Sequence, residues 1–197
     1  MTDAAVAHPK FHHVNLKTTR LQEMIDWYAE VVGTEVVFQD ATGAWLSNDG
    51  ANHRVALLAF PGFADDPEKE TRTGMHHSAF EFASFEELNH NYLRLRERGI
   101  TPEICLDHGM TFSYYYRDPD GNHVELQCDN FGDWAASKEW MHTSEDFHAN
   151  PIGHFVDADR VAQAAAGGEP FAEIHRKAMA DELAPAQPPV EIPQASQ

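Results

Sequence analysis

Phe11-His-His-Val-Asn-Leu-Lys17 and His76-His-Ser-Ala-Phe-Glu-Phe82 share one pattern, a histidine pair leading into a short alternating strand. The residues beyond each strand are also alike. After the first, Thr19-Arg-Leu-Gln22 has capping-box spacing, and Leu21, Met24, Ile25, Tyr28, Val31 and Val32 recur at helical intervals until Gly33 stops them. After the second, Ser84-Phe-Glu-Glu87 repeats the capping spacing, Leu88, Tyr92 and Leu95 form the stripe, and Gly99 ends it. Strand-like runs complete each half: Glu35 to Gln39, Ala44 to Ser47 and Arg54 to Phe60 in one, Glu103 to Leu106, Met110 to Arg117 and His123 to Cys128 in the other. Both halves read β-α-β-β-β, and a repeat of that size fixes an α+β architecture of two modules.

Around this repeat, residues 1–10 form an N-terminal arm, 11–62 the first module, 63–74 a polar linker and 75–130 the second module. Residues 131–183 then change character. Trp134 to Met141 suits a short helix, and Asp157 to Met179 holds one or two more, making a helical extension. The Pro/Ala/Gln-rich residues 184–197 have little to bury and are expected to be a disordered tail.

The chain has 197 residues, room for one substantial domain or two small modules sharing a core. With 14 basic against 32 acidic residues its formal charge is −18, and no Lys/Arg cluster offsets this locally. Polyphosphates are repelled, which argues against nucleic acid and anionic membrane surfaces as partners. No apolar run reaches bilayer length, and Met1 to Pro9 lacks the features of a signal peptide. Cys105 and Cys128 are too few for a disulfide framework or a thiolate metal site, so a cytoplasmic protein with reduced thiols is expected.

His-Val-Asn-Leu followed by Trp27-Tyr28 and Gly33, then His-Ser-Ala-Phe, then Tyr115-Tyr-Arg-Asp-Pro-Asp-Gly-Asn-His-Val-Glu125, resembles the vicinal-oxygen-chelate superfamily over Phe11 to Cys128. The resemblance implies two βαβββ modules curled into an open barrel around a divalent metal. It further implies His13 and His77 as ligands from the first strand of each module, and Glu125 from the last strand of the second. Within a regular strand His12 and His76 would face away from their neighbours.

Glyoxalase-like and epimerase-like members complete their site with a carboxylate or amide on the last strand of the first module. Arg54-Val-Ala-Leu-Leu-Ala-Phe60 offers neither. Two histidines and one carboxylate form a facial triad that leaves room for a chelating substrate and O₂ on non-heme Fe(II). This is similar to the single-domain type I extradiol ring-cleaving dioxygenases, and implies a catechol substrate, O₂ as co-substrate and Fe(II), with Mn(II) an acceptable replacement. His53 resembles the family's acid–base histidine, Tyr115 its active-site tyrosine and His108 a second active-site histidine. A homo-oligomer is expected. A lyase or isomerase of the same fold is the alternative activity, and a metal-free binding protein a more distant one. Oxygen consumption separates the first pair, and metal content separates enzyme from binder.

Overall fold

The computed structural model describes residues 7–189. The residues fall into two compact units that divide between Thr73 and Gly74, so each is treated by itself.

The first unit runs β1 (Val14–Lys17), α1 (Leu21–Val31), β2 (Glu35–Asp40), β3 (Gly43–Ser47) and β4 (Val55–Leu58). Its sheet has the order β1-β4-β3-β2, with β1 parallel to β4 and the other pairs antiparallel. Met24, Ile25, Tyr28 and Val31 of α1 are buried with Leu16, Ala44, Leu46, Val55 and Leu57 of the sheet, which is the helical stripe meeting the period-two strand positions. The expected capping box at Thr19 does not form. The Thr19 hydroxyl instead donates to Asp65 Oδ1 at 3.0 Å, and Arg20 pairs with the same carboxylate at 2.6 Å, which fastens the linker around Asp65 to the helix start. Edge strand β2 is exposed on both faces and leaves Val36, Val37 and Phe38 open.

The second unit repeats the topology with β5 (His77–Phe82), α2 (Phe85–Glu97), β6 (Ile104–Asp107), β7 (Thr111–Arg117) and β8 (His123–Asp129). Here the capping residue works: Ser84 Oγ accepts from Glu87 N–H at 3.3 Å, and Glu87 Oε2 accepts from Ala83 N–H at 3.1 Å. First and last strands are again parallel neighbours. The extension contains α3 (Trp134–Thr143), α4 (Glu145–Ala149), α5 (Ala158–Ala166) and α6 (Phe171–Met179), and adds a two-residue strand, β9 (His154–Phe155), to β6. The order is β5-β8-β7-β6-β9. The short helix α4 and strand β9 carry no periodic signal in the sequence, being too short to show one.

The fold is therefore α+β, with one open sheet per βαβββ module and C-terminal helices. Part of the expected tail, residues 184–189, is described, and Ala184 O accepts from the Arg160 guanidinium at 2.8 Å. Residues 190–197, and residues 1–6 of the expected arm, lie outside the described residues. No helix among the described residues is long and apolar enough to cross a membrane.

Candidate metal centre

The second unit's sheet sorts its side chains by strand alternation. Phe112, Tyr114 and Tyr116 of β7 and Val124, Leu126 and Cys128 of β8 are buried on the face that α2 covers, where the Tyr92 and Tyr114 rings lie 5.3 Å apart. The intervening residues point the other way. Register pairs Tyr115 with Glu125 across β7 and β8, and Ala79 with Glu125 across β5 and β8. His77, two positions from Ala79, shares that second face.

There His77 Nε2 lies 3.0 Å from Glu125 Oε2, and Tyr115 O–H donates to Glu125 Oε1 at 2.9 Å. The Glu125 carboxylate is 5% exposed. Burial pushes its pKa up, but hydrogen bonds from His77, Ser113 and Tyr115 outweigh that and hold it below the ordinary value, so it is ionised near neutrality. No lysine or arginine bonds it among the described residues. Burial and the adjacent Glu125 charge push the Tyr115 phenol far up, so it stays protonated and is a hydrogen-bond donor only through its single O–H.

His108 joins the same group. Its Nε2 lies 2.9 Å from Tyr115 Oη and 4.0 Å from Glu125 Oε1, while its Nδ1 lies 2.6 Å from the Ile152 carbonyl. Burial lowers the imidazole pKa more than the Glu125 charge raises it, favouring a neutral ring. The second unit thus gathers His77, Glu125, Tyr115 and His108. A cavity of about 320 Å³ between α2 and the α5–α6 pair, lined by Phe85, Asn89, Leu93, Ala162 and Phe171, sits on the α2 side of the sheet and is separate from this group.

The first unit gathers the other two residues of interest. His13 precedes β1 and His53 precedes β4, and because β1 and β4 are parallel neighbours, both approaches come to the same end of the sheet. Their ring centroids are 4.3 Å apart. Burial lowers the His53 pKa, and the neighbouring His13 and His12 lower it further, so this imidazole is neutral at pH 7.

Alternation does not separate the histidines of each pair. Residues 12 and 13 lie before the first strand residue and residue 76 before β5, so the two-residue period has not begun. His12 Nδ1 and His13 Nδ1 are 3.0 Å apart, and His76 Nδ1 and His77 Nδ1 are 2.8 Å apart. As a result His12, His13 and His53 bring one ring nitrogen each within 4.8 Å of one another, a group able to hold a cation. His12, expected to face away from its neighbour, instead lies beside it. Ser113 and the Ile152 carbonyl were also not foreseen. A serine between buried aromatics has no distinguishing signal, and a main-chain carbonyl has none at all.

A profile of the glyoxalase/bleomycin resistance protein/dioxygenase superfamily matches residues 10–126. Over 182 residues the chain is 40% identical to biphenyl-2,3-diol 1,2-dioxygenase 2 of Rhodococcus globerulus, covering 92% of this chain and 95% of that protein. It is 38% identical to biphenyl-2,3-diol 1,2-dioxygenase 3 of the same organism, covering 87% and 90%. Catechol-2,3-dioxygenase of Bacillus subtilis is 30% identical over 59% of this chain and 40% of its own length.

Proposed function

The chain belongs to the glyoxalase/bleomycin resistance protein/dioxygenase superfamily, and from its likeness along most of its length to two biphenyl-2,3-diol 1,2-dioxygenases we propose that it is an extradiol dioxygenase that opens the ring of a catechol-type diol with O₂. We further propose Fe(II), with Mn(II) an acceptable substitute, as its metal, and His13, His77 and Glu125 as the ligands.

One observation carries the ligand reading. A buried, ionised carboxylate, Glu125, faces the His77 imidazole nitrogen at 3.0 Å, with no lysine or arginine bonded to it among the described residues. Burying an anion is costly without a cation, and a divalent ion supplies one. When bound, the metal supplies a Lewis-acidic template with positions for a chelating diol and O₂.

The chain's own groups divide the remaining work. Tyr115 holds Glu125 in place and keeps its proton throughout, because its pKa is far above neutrality. His53, neutral at pH 7, accepts a proton from a catechol hydroxyl and returns it as the ring opens. His108 offers a second neutral imidazole beside Tyr115. A homo-oligomer is supported by the open apolar residues of edge strand β2. A cytoplasmic location is supported by the free thiols Cys105 and Cys128.

The His12, His13 and His53 group favours a second reading, in which a cation sits on three imidazoles and His53 is a ligand and not a proton carrier. The test is anaerobic loading with Fe(II) or Mn(II), then exposure to substituted catechols and O₂. Ring cleavage predicts a yellow product formed in step with O₂ uptake. Tight metal binding with no O₂ uptake on any catechol would overturn the dioxygenase reading.

A further inference from the structure

The turn Asp107-His108-Gly109, between β6 and β7, is gripped by the extension at several places. Asp107 is 0% exposed. Its Oδ1 accepts from Gly109 N–H at 2.9 Å and from Asn130 Nδ2 at 3.0 Å, and its Oδ2 lies 2.6 Å from His175 Nδ1 on α6. A carboxylate so enclosed is held by these donors, and His175 is the one titratable group among them.

The second grip acts on the imidazole next door. The Ile152 carbonyl can only accept, so at 2.6 Å His108 Nδ1 carries the hydrogen and donates it. That approach requires glycine at the next position: a Cβ on Gly153 would run into Asp107 O and the His108 Cα. β9 holds the approach by pairing Asp107 with His154 and Leu106 with Phe155. The third grip is Trp140 of α3, whose ring occupies the space a Cβ on Gly109 would need, at a residue with φ +84°.

We propose that the C-terminal extension fixes the tautomer and position of His108. The Ile152 carbonyl selects the Nδ1–H form, and His175, acting through Asp107, is a positioning residue. In that tautomer the lone pair is on Nε2, 2.9 Å from Tyr115 Oη. Tyr115 has a single O–H with Glu125 Oε1 also at 2.9 Å, so it donates to that carboxylate or to the Nε2 lone pair, one at a time. His108 is thereby set to accept a proton at Nε2 and not to give one. Its relevance to turnover rests on the dioxygenase reading; the tautomer does not.

The experiment is nitrogen-15 NMR of histidine side chains in the full-length protein carrying diamagnetic Zn(II), with the His108 signal identified by its loss in His108→Asn. The neutral Nδ1–H pattern is expected in the native chain. His175→Ala should mix in the Nε2–H form and, in the iron-loaded protein, lower kcat about tenfold to a hundredfold with little change in KM. His175→Asn, whose amide nitrogen replaces Nδ1, should restore both. Gly153→Ala, which displaces the carbonyl without touching α6, should give the same mixing. An Nε2–H pattern in the native chain, or an unchanged tautomer in folded His175→Ala and Gly153→Ala proteins, would overturn the proposal. Catechol inertness of the iron-loaded native chain alongside a responsive tautomer would count against the dioxygenase reading alone.

Discussion

Replacing Tyr115 with Phe deletes one oxygen and leaves the ring in its place between β6 and β8. Glu125 Oε1 loses its 2.9 Å donor, and His108 Nε2 loses its partner at the same distance. A hydrogen bond to a charged group is worth about 1.5–3 kcal/mol, and outer partners of metal ligands typically contribute about 10–100-fold to affinity. The two figures agree, since about 1.4–2.7 kcal/mol corresponds to about 10–100-fold. Metal affinity in Tyr115→Phe should therefore fall by about one to two orders of magnitude, read by anaerobic chelator competition. The pH dependence should shift as well. Glu125 is held below its ordinary pKa partly by this bond, so its ionised form is favoured in the native chain and is lost only as pH falls through that lowered value. Without the bond the pKa rises, and protons should displace metal at a higher pH than in the native chain. An unchanged affinity and an unchanged pH of release would refute the claim that Tyr115 supports a ligand.

His53→Gln should keep its metal and bind catechol, while turnover falls by about 10²–10⁴; native turnover at saturating catechol and O₂ would rule out proton transfer by His53. Because His53 titrates below the ordinary imidazole value, the acidic limb of the native profile should lie below about pH 6.5 and vanish in that variant. His12→Ala should retain the full metal content and His13→Ala should lose it, whereas loss in both would favour the three-imidazole arrangement. Gly109→Ala must displace Trp140 and adopt a strained φ, so thermal unfolding should shift down by several degrees, about 2–4 °C for each of the 1–3 kcal/mol such overpacking costs; an unchanged midpoint would mean that α3 yields freely.

The repeat was legible because helical and strand periods are long-range patterns, and β7 and β8 announce their two faces through Phe112, Tyr114, Tyr116 and Val124, Leu126, Cys128. That alternation puts Glu125 and Tyr115 on the other face, while their assignment to a site came from the family resemblance. What escaped was set by single hydrogen bonds. Thr19 has the spacing of a cap, yet Asp65, far along the chain, takes its hydroxyl. His12 could be assigned a face only by supposing the strand had already begun. Asp107 and His175 meet across 68 positions of sequence, and neither carries a local mark of the other.

The parallel pairing of first and last strands has a consequence for synthesis. In each module the opening strand emerges from the ribosome long before the strand that must lie beside it: β1 waits for β4, and β5 waits for β8. Such distant pairings are slow to close, and the first module can complete its sheet while the second is still being made. His77 and Glu125 are brought within 3.0 Å only by the last of those pairings. A nascent chain stalled before residue 123 would display β5 with an unsatisfied edge and half of the proposed ligand pair, a state in which chaperone binding or premature metal capture by the loose histidines competes with folding.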